Sequence, residues 1–238
     1  MINKVHFRNC IDGIKDMIKG GGPYVDSIIT DPPYLTQYKT GHRKGEHKFK
    51  NIIQNDDNQE LVKEYFELCY KVLKDNKSLF SFCDIDTLPQ FREFIEGVGF
   101  EIRSIIIWSK GGGGMGDLQA SFSPDYEVII HANKGRHLLN GTRPGSVWFY
   151  PRIPGSKLVH QNQKPLELMH KILDFGTNHG DLVLDGFMGS FTTAIACKNR
   201  GRNFIGFEID EHYYKVGMER LTGEKQYSIK NDLGGFKF

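Results

Sequence analysis

The sequence predicts an α/β fold with a mainly parallel sheet, because short apolar runs alternate with amphipathic stretches along the chain. The runs Val25–Thr30 and Leu79–Cys83 are rich in β-branched or aromatic residues, as buried strands are. Between them, the apolar residues of segment 60–73 recur every three to four positions, the period of an amphipathic helix. Strands that alternate with helices in this way predict βαβ units and therefore parallel strands.

The alternation continues along the chain. A helix is predicted over residues 91–98 and ends at Gly99, since glycine suits the residue after a helix. An isoleucine-rich strand follows at Ile102–Trp108. Regular elements resume near Pro165, a residue type that favours the first helical position. They are a helix at 165–176, a strand at 181–185, a helix at 192–200, a strand at 203–207 and a helix at 211–221, before a polar tail.

The pattern breaks between residues 110 and 160. The glycine-rich segment 111–116 would lose much entropy in a helix or a strand, so we expect a mobile loop there. The rest of the region contains several prolines and one clear strand, at Glu127–His131. We interpret segment 110–160 as a small loop-rich insertion on the sheet, within a single domain that spans residues 1–238.

The composition is that of an ordinary globular chain of 238 residues, with 39% hydrophobic and 25% charged residues. There is no run of 18 apolar residues and no secretory signal, so we expect no membrane span and a cytoplasmic location. The cysteines form no CxxC pair, and the histidines lack metal-ligand spacing, so no metal is expected. The cysteines are predicted to be buried in a reducing environment: Cys10, Cys69, Cys83 and Cys197.

The segment Leu182–Ser190 passes from an apolar strand through a small-residue turn into a helix. The next strand ends in an acid, Glu208, about 20 residues further on. This spacing suits a cofactor that contains a nucleoside, because the turn admits the ligand and the acid accepts hydrogen bonds from ribose hydroxyls. The glycine patterns of NAD-binding and ATP-binding loops are absent.

The strand Val25–Thr30 ends in Asp31-Pro32-Pro33-Tyr34. Proline lacks an N–H, so the carbonyl groups here stay available as rigid acceptors. Asp31 and a proline carbonyl can accept both hydrogens of an exocyclic amino group, while Tyr34 stacks on a planar ring. The tetrapeptide therefore predicts a site for an aromatic amine.

A basic stretch follows this tetrapeptide directly. The chain has 31 Lys plus Arg against 29 Asp plus Glu, so the total charge demands no polyanionic partner. The excess of basic over acidic residues is local. It lies within a segment at about 35–57, which we expect to be a mobile loop that contacts phosphates. Its basic residues are Lys39, Arg43, Lys44, Lys48 and Lys50.

These motifs resemble those of the beta-class DNA amino-methyltransferases, which use S-adenosylmethionine. The tetrapeptide resembles their catalytic Asp-Pro-Pro-Tyr, and residues 182–193 look like their Asp-Pro-Phe-x-Gly-Ser-Gly cofactor loop. Residues 160–165, His-Gln-Asn-Gln-Lys-Pro, resemble the segment that lines the methionine end of the cofactor. The order of the motifs is also similar to that of the beta class, and the resemblance covers about residues 3–35 and 75–221.

The resemblance implies a Rossmann-like methyltransferase sheet with helices on both faces, and methyl transfer from S-adenosylmethionine to adenine N6 in double-stranded DNA. The target base would flip out of the duplex, and the insertion would read the sequence. A homodimer is a further expectation. The implied catalytic residues are Asp31, Pro32, Pro33 and Tyr34. The implied cofactor residues are Asn9, Cys10, Asp31, His160, Gln163, Lys164, Asp185, Phe187, Gly189, Ser190, Glu208 and Ile209. Further DNA contacts are expected from Arg136, Arg143 and Arg152.

Three positions depart from the family pattern. Gly186 replaces the family's proline, Phe191 replaces its third glycine, and Arg8-Asn9 replaces its Gly-Asp. We predict that Phe191 packs in the core, and that Asn9 accepts a hydrogen bond from the cofactor's adenine without a charge. Trp108 and Trp148 are predicted core residues as well.

The sequence is also compatible with other functions. The substrate amine could be cytosine N4, although an Asp before Pro-Pro-Tyr usually accompanies adenine in the family. An RNA or protein methyltransferase is a second alternative, but those relatives generally have the reverse motif order. A catalytically silent DNA-binding subunit is a third, against which the retained Asp31, Tyr34, Lys164 and Glu208 argue.

Overall fold

The structure is a computed structural model that describes residues 1–22, 24–35, 58–112, 119–120, 122, 125–154, 156, 158–160 and 163–223. The basic residues from Lys39 to Lys50 and most of the glycine-rich segment lie outside these described residues.

An 8-stranded sheet forms the centre of the molecule, with strand order β1-β8-β7-β2-β3-β5-β4-β6. Every described pair of neighbouring strands is parallel except the two pairs that β5 makes. The mainly parallel sheet is therefore confirmed. The strands are β1 (Lys4–Phe7), β2 (Val25–Thr30), β3 (Leu73–Cys83), β4 (Glu101–Ser109), β5 (Tyr126–Lys134), β6 (Val147–Phe149), β7 (Leu182–Asp185) and β8 (Asn203–Glu208).

Helices cover both faces of the sheet, as the resemblance implied. The apolar side chains of the first three helices join one buried cluster, which includes Ile14, Phe66 and Phe91. Those of the last three pack into a second cluster on the opposite face, with Ile172 and Ala194 at its centre. The helices are α1 (Cys10–Lys19), α2 (Gln59–Val72), α3 (Leu88–Gly97), α4 (Leu166–Gly176), α5 (Thr192–Asn199) and α6 (Glu211–Thr222).

The interpretation of segment 110–160 as an insertion on the sheet is wrong for its central part. β5 lies inside the sheet, hydrogen-bonded to β3 on one side and to β4 on the other. Its successive residues Val128–Asn133 are all buried, since helices cover both faces of this strand. The expected strand at Glu127–His131 is thus an antiparallel strand in the interior of the sheet, longer at both ends.

Some elements were not predicted at all. β1 and α1 precede the first predicted strand, and Asn9 caps α1 by accepting a hydrogen bond from the amide of Ile11 at 2.8 Å. β3 begins at Leu73 rather than at Leu79, because its polar residues extend the strand beyond the apolar run. Trp108, Trp148 and the four cysteines are buried, as predicted.

The direction of the strands determines which residues can meet. β2, β7 and β8 are neighbours, so the residues at their carboxyl ends lie side by side at one edge of the sheet. β5 runs the other way, and its first residues lie at the same edge. In open parallel sheets, ligands bind in the crevice outside this carboxyl edge.

Candidate active site

The tetrapeptide Asp31–Tyr34 follows β2 directly and lies at the carboxyl edge. The hydroxyl of Tyr34 donates a hydrogen bond to Asp31 Oδ1 at 2.6 Å. The other oxygen, Asp31 Oδ2, is 3.0 Å from the ammonium nitrogen of Lys164. Pro32 and Pro33 are buried between these polar groups and the core. Both oxygens of Asp31 therefore have partners within the protein.

Lys164 connects this carboxylate to a second one. Its Nζ is 2.8 Å from Glu127 Oε2 and 2.9 Å from the Tyr34 hydroxyl oxygen. The lysine side chain is only 8% exposed, and its ammonium lies 4.7 Å from the ring centroid of Phe82. We call Asp31, Tyr34, Glu127 and Lys164 the Asp31 cluster.

Glu127 is the member of this cluster that the sequence did not reveal as a site residue. It is the second residue of β5, and Lys110 at the end of β4 contacts its other oxygen at 3.4 Å. The available signal was an acid next to an apolar run. That signal becomes meaningful only when the strand is known to be antiparallel, because only then does its start reach the carboxyl edge.

Burial and charge act in opposition within the Asp31 cluster. Burial raises the pKa of Asp31 despite the nearby Lys164, and the charge of Glu127 raises it further. For Lys164, burial alone would lower the pKa, but Asp31 and Glu127 outweigh it and the pKa is raised. For Glu127, burial is opposed by Lys164 and Lys110, which lower the pKa. Lys164 thus stays charged between two carboxylates.

A second carboxylate site lies at the end of β8. Glu208 Oε2 accepts a hydrogen bond from the Gly189 amide at 2.7 Å, and Oε1 accepts one from the Asp210 amide at 2.8 Å. Burial raises the pKa of Glu208 to about 7. Each carboxylate oxygen has a further lone pair, so both can also accept hydrogen bonds from ligand hydroxyls.

Asp185, at the end of β7, is a third buried carboxylate at this edge. It accepts hydrogen bonds from the Phe187 amide at 3.0 Å and from the Thr193 hydroxyl at 2.6 Å. Burial raises its pKa to about 7 as well. A cationic ligand would stabilise the ionised forms of these two buried carboxyl groups, Asp185 and Glu208. As carboxylates they would also accept hydrogen bonds, so they fit a ligand that has hydroxyl groups and a positive charge.

One pocket brings together every residue predicted for catalysis or for cofactor binding. Asn9 and Cys10 line it where α1 begins, but the side-chain oxygen of Asn9 already caps this helix. His160 packs edge-on against Tyr213, with 4.0 Å between the ring centroids, and burial lowers its pKa to about 4. The ring is therefore neutral at pH 7.

Phe191 is fully buried in the core, as predicted. It adopts a left-handed conformation, with φ of 64°, immediately before α5. Its ring lies against Gly217 of α6, where an added Cβ would come within 2.3 Å of the ring. The ring therefore fills space that a glycine on the facing helix leaves open.

The arginines predicted to contact DNA lie in different places. Arg136 follows β5, whose last residue, Lys134, lies seven residues beyond Glu127, a distance of about 23 Å at ~3.3 Å per residue. It is therefore at the opposite edge of the sheet from Asp31, which does not fit a contact near the target base. Arg143 is exposed in the connection to β6. Arg152 lies at the carboxyl edge, where its amide bonds to the carbonyl of Lys110 at 3.1 Å.

Two further observations concern the described residues only. The described residues contain no group of three or more His, Cys, Asp or Glu side chains that could hold a metal ion. None of their helices has the length and the apolar composition needed to cross a membrane.

The fold and the site together define a Rossmann-like methyltransferase with an Asp-Pro-Pro-Tyr tetrapeptide at the carboxyl edge. Residues 25–219 match a family described as DNA methylase. The chain belongs to this DNA methylase family, so the expected class of enzyme is confirmed.

Individual relatives agree with this assignment. The chain is 28% identical to the DNA adenine methyltransferase YhdJ of Escherichia coli (strain K12), over 92% of this chain and 83% of that protein. It resembles the crystal structure of the M1.HpyAVI–SAM complex with a TM-score of 0.74 and 28% identity, over 92% of this chain and 98% of that one. The cytosine-N4-specific PvuII DNA methyltransferase shares the fold, with a TM-score of 0.71 at 17% identity, over 91% of this chain and 85% of that one.

Proposed function

We propose that this protein transfers a methyl group from S-adenosylmethionine to the N6 amino group of adenine in double-stranded DNA, at a specific sequence. The observation that carries the proposal is the position of Asp31, directly after β2, in the same pocket as Asp185 and Glu208. A carboxylate for an aromatic amine and carboxylates for a cationic nucleoside are thus on adjacent strands.

The pocket residues fit S-adenosylmethionine chemically. Glu208 would accept hydrogen bonds from the ribose hydroxyls, while Asn9 and Cys10 would lie beside the adenine ring. His160, Gln163, Phe187, Gly189, Ser190 and Ile209 enclose the remainder, and Asp185 fixes the turn through its bond to the Phe187 amide. When bound, the cofactor supplies a methyl group that is already electrophilic.

The role of Asp31 is positioning and charge stabilisation. Together with a proline carbonyl of the tetrapeptide, it accepts hydrogen bonds from the target amine, which directs the nitrogen lone pair toward the methyl group. As the N–C bond forms and the S–C bond breaks, positive charge grows on nitrogen and Asp31 offsets it. The nitrogen then loses one proton to water. A strong general base is not required for this step.

Tyr34 offers an aromatic surface for the target base. Its hydroxyl is held by Asp31 and Lys164, so the orientation of its ring is restrained before substrate arrives. An amino group inside a duplex cannot reach Asp31, so the target adenine flips out of the helix. Phosphate contacts come from Arg152 at the carboxyl edge and from the basic residues Lys39, Arg43, Lys44, Lys48 and Lys50.

The target base is tested by mass spectrometry of nucleosides. Purified protein is incubated with isotopically labelled S-adenosylmethionine and, in parallel, with duplex DNA, RNA and protein substrates. Labelled N6-methyladenine in DNA is the expected product, and Asp31→Ala is the matched control that should give none. Labelled N4-methylcytosine would move the activity to cytosine, and the absence of any label would favour a silent DNA-binding subunit.

Two further parts of the proposal concern the setting of the reaction. Because the substrate is cellular DNA, we place the protein in the cytoplasm. We also propose that it forms a homodimer, which analytical ultracentrifugation at several concentrations would test. A single species at the mass of one chain, 27.2 kDa, would contradict the dimer.

A further inference from the structure

The Asp31 cluster presents a problem for the proposed reaction. Asp31 must accept a hydrogen bond from the target amine through a remaining lone pair, while Tyr34 already donates to one of its oxygens and the Lys164 ammonium pairs with the other. A lysine ammonium beside a carboxylate lowers the electron density that the carboxylate can offer to another donor. Some other group must therefore share the charge of Lys164.

Glu127 has the geometry to share it. Lys164 Nζ is 2.8 Å from Glu127 Oε2, slightly closer than the 3.0 Å to Asp31 Oδ2. An ammonium has three N–H donors, and three acceptors surround this one, since the Tyr34 oxygen lies 2.9 Å away. Glu127 can therefore keep its contact with Lys164 when the target amine binds Asp31.

We propose that Glu127 is a positioning residue for methyl transfer: it pairs with Lys164 and its Oε2 lies 3.2 Å from the Tyr34 hydroxyl, and so it keeps Lys164 from pairing with Asp31 alone. The inference depends on the proposed function, because it assigns Glu127 a part in the same reaction. Glu127 acts through its neighbours and is not itself placed against the target amine.

The charges around Asp31 give this proposal a distinctive pH signature. The titratable groups that face Asp31 are Glu127 from β5, Lys164 from the segment before α4, Cys83 from β3, Asp185 from β7 and Tyr34 from its own loop. Lys110 acts one step away, through Glu127. Removing the charge of Glu127 removes a negative neighbour, so the pKa of Asp31 falls.

Glu127→Gln is the informative variant, because the amide keeps the shape and can still accept a bond from Lys164. We expect kcat to fall by about tenfold or more, with KM and Kd for S-adenosylmethionine within about twofold of wild type. The acid limb of the pH profile of kcat shifts to lower pH. Glu101→Gln is the matched control, since Glu101 is an exposed glutamate on neighbouring β4, and it should match wild type.

A measurement without cofactor separates positioning from activity. Carboxyl ¹³C NMR of the ligand-free protein should show a lower pKa for Asp31 in Glu127→Gln than in wild type or Glu101→Gln. An active wild type with unchanged kcat and Asp31 pKa in Glu127→Gln would overturn the inference alone. A loss of kcat that only parallels a lower melting temperature and weaker cofactor binding would also overturn it, since a structural role suffices. A wild type that methylates no DNA would remove the proposed function, and this inference with it.

Discussion

The amide of Gly186 donates a hydrogen bond to the hydroxyl of Tyr65, 3.2 Å away. The same hydroxyl donates to Thr30 Oγ1 at 2.9 Å. The ring of Tyr65 covers Gly186 so closely that an added Cβ would come within 2.3 Å of it. A tyrosine of α2 therefore ties the end of β2 to the turn after β7, and proline at position 186 would lack both the donor and the space.

We expect Tyr65→Phe to lower the free energy of unfolding by about 1–3 kcal/mol, because it leaves the buried Gly186 amide without its acceptor. Tyr70→Phe, on the same helix, is the control, since the Tyr70 hydroxyl has no hydrogen-bond partner among the described residues. Urea denaturation of both variants measures the difference. Equal stability of the two variants would contradict the prediction.

Two substitutions of Phe191, to alanine and to glycine, test its left-handed backbone conformation. Losing the buried ring costs about 3–5 kcal/mol in either variant. Phe191→Ala, however, keeps a side chain at φ of 64°, whereas Phe191→Gly suits that conformation. We therefore expect the glycine variant to be more stable than the alanine variant by about 1 kcal/mol, measured by chemical denaturation. The reverse order would show that the left-handed backbone is not maintained.

The facing residue Gly217 gives a double-mutant cycle. Gly217→Ala places a Cβ within 2.3 Å of the Phe191 ring, so we expect a loss of about 1–3 kcal/mol from overpacking. In the Phe191→Gly background the same change should be neutral or stabilising, since the space is free and alanine favours a helix. A coupling energy near zero would mean that the two residues do not compete for this space.

Cofactor binding should depend on pH because burial raises the pKa of Glu208 and of Asp185 to about 7. Both ionise more readily beside a bound cation, so binding near pH 7 releases protons and affinity for S-adenosylmethionine rises from pH 5 to 7, then levels off. Calorimetry in two buffers of different ionisation enthalpy measures the release. Glu208→Gln should bind more weakly at pH 8 and show a flatter dependence, while equal proton release in this variant would exclude Glu208 as its source.

Two alanine variants should affect different properties, one methyl transfer and the other cofactor binding. Asp31→Ala removes the acceptor of the target amine, so methyl transfer should be lost while S-adenosylmethionine still binds. Glu208→Ala should mainly raise KM for the cofactor, with a smaller change in kcat at saturation. Steady-state kinetics with calorimetry distinguishes the patterns, and loss of cofactor binding in Asp31→Ala would place that residue in the cofactor site instead.

The parts of the site that the sequence predicted are those carried by local motifs. Asp185 and Glu208 each end a strand that is recognisable from its apolar run, and Asp31 directly follows another. Parallel neighbours bring such strand ends together. Glu127 escaped prediction because its place depends on the direction of β5, which is decided by pairing with distant strands. The hydrogen bonds of the Tyr65 hydroxyl were not predicted either, since the helical pattern identifies Tyr65 as a core residue but does not indicate the partner of its hydroxyl.

The pairing of β1 with β8 joins residues about 200 positions apart, as at Lys4 and Ile205. At a synthesis rate of about 5–20 residues per second, β8 is translated roughly 10–40 s after β1. Asp31 emerges early, whereas the turn after β7 and Glu208 are translated near the end. A nascent chain that lacks β8 also lacks Glu208 and therefore cannot complete the pocket.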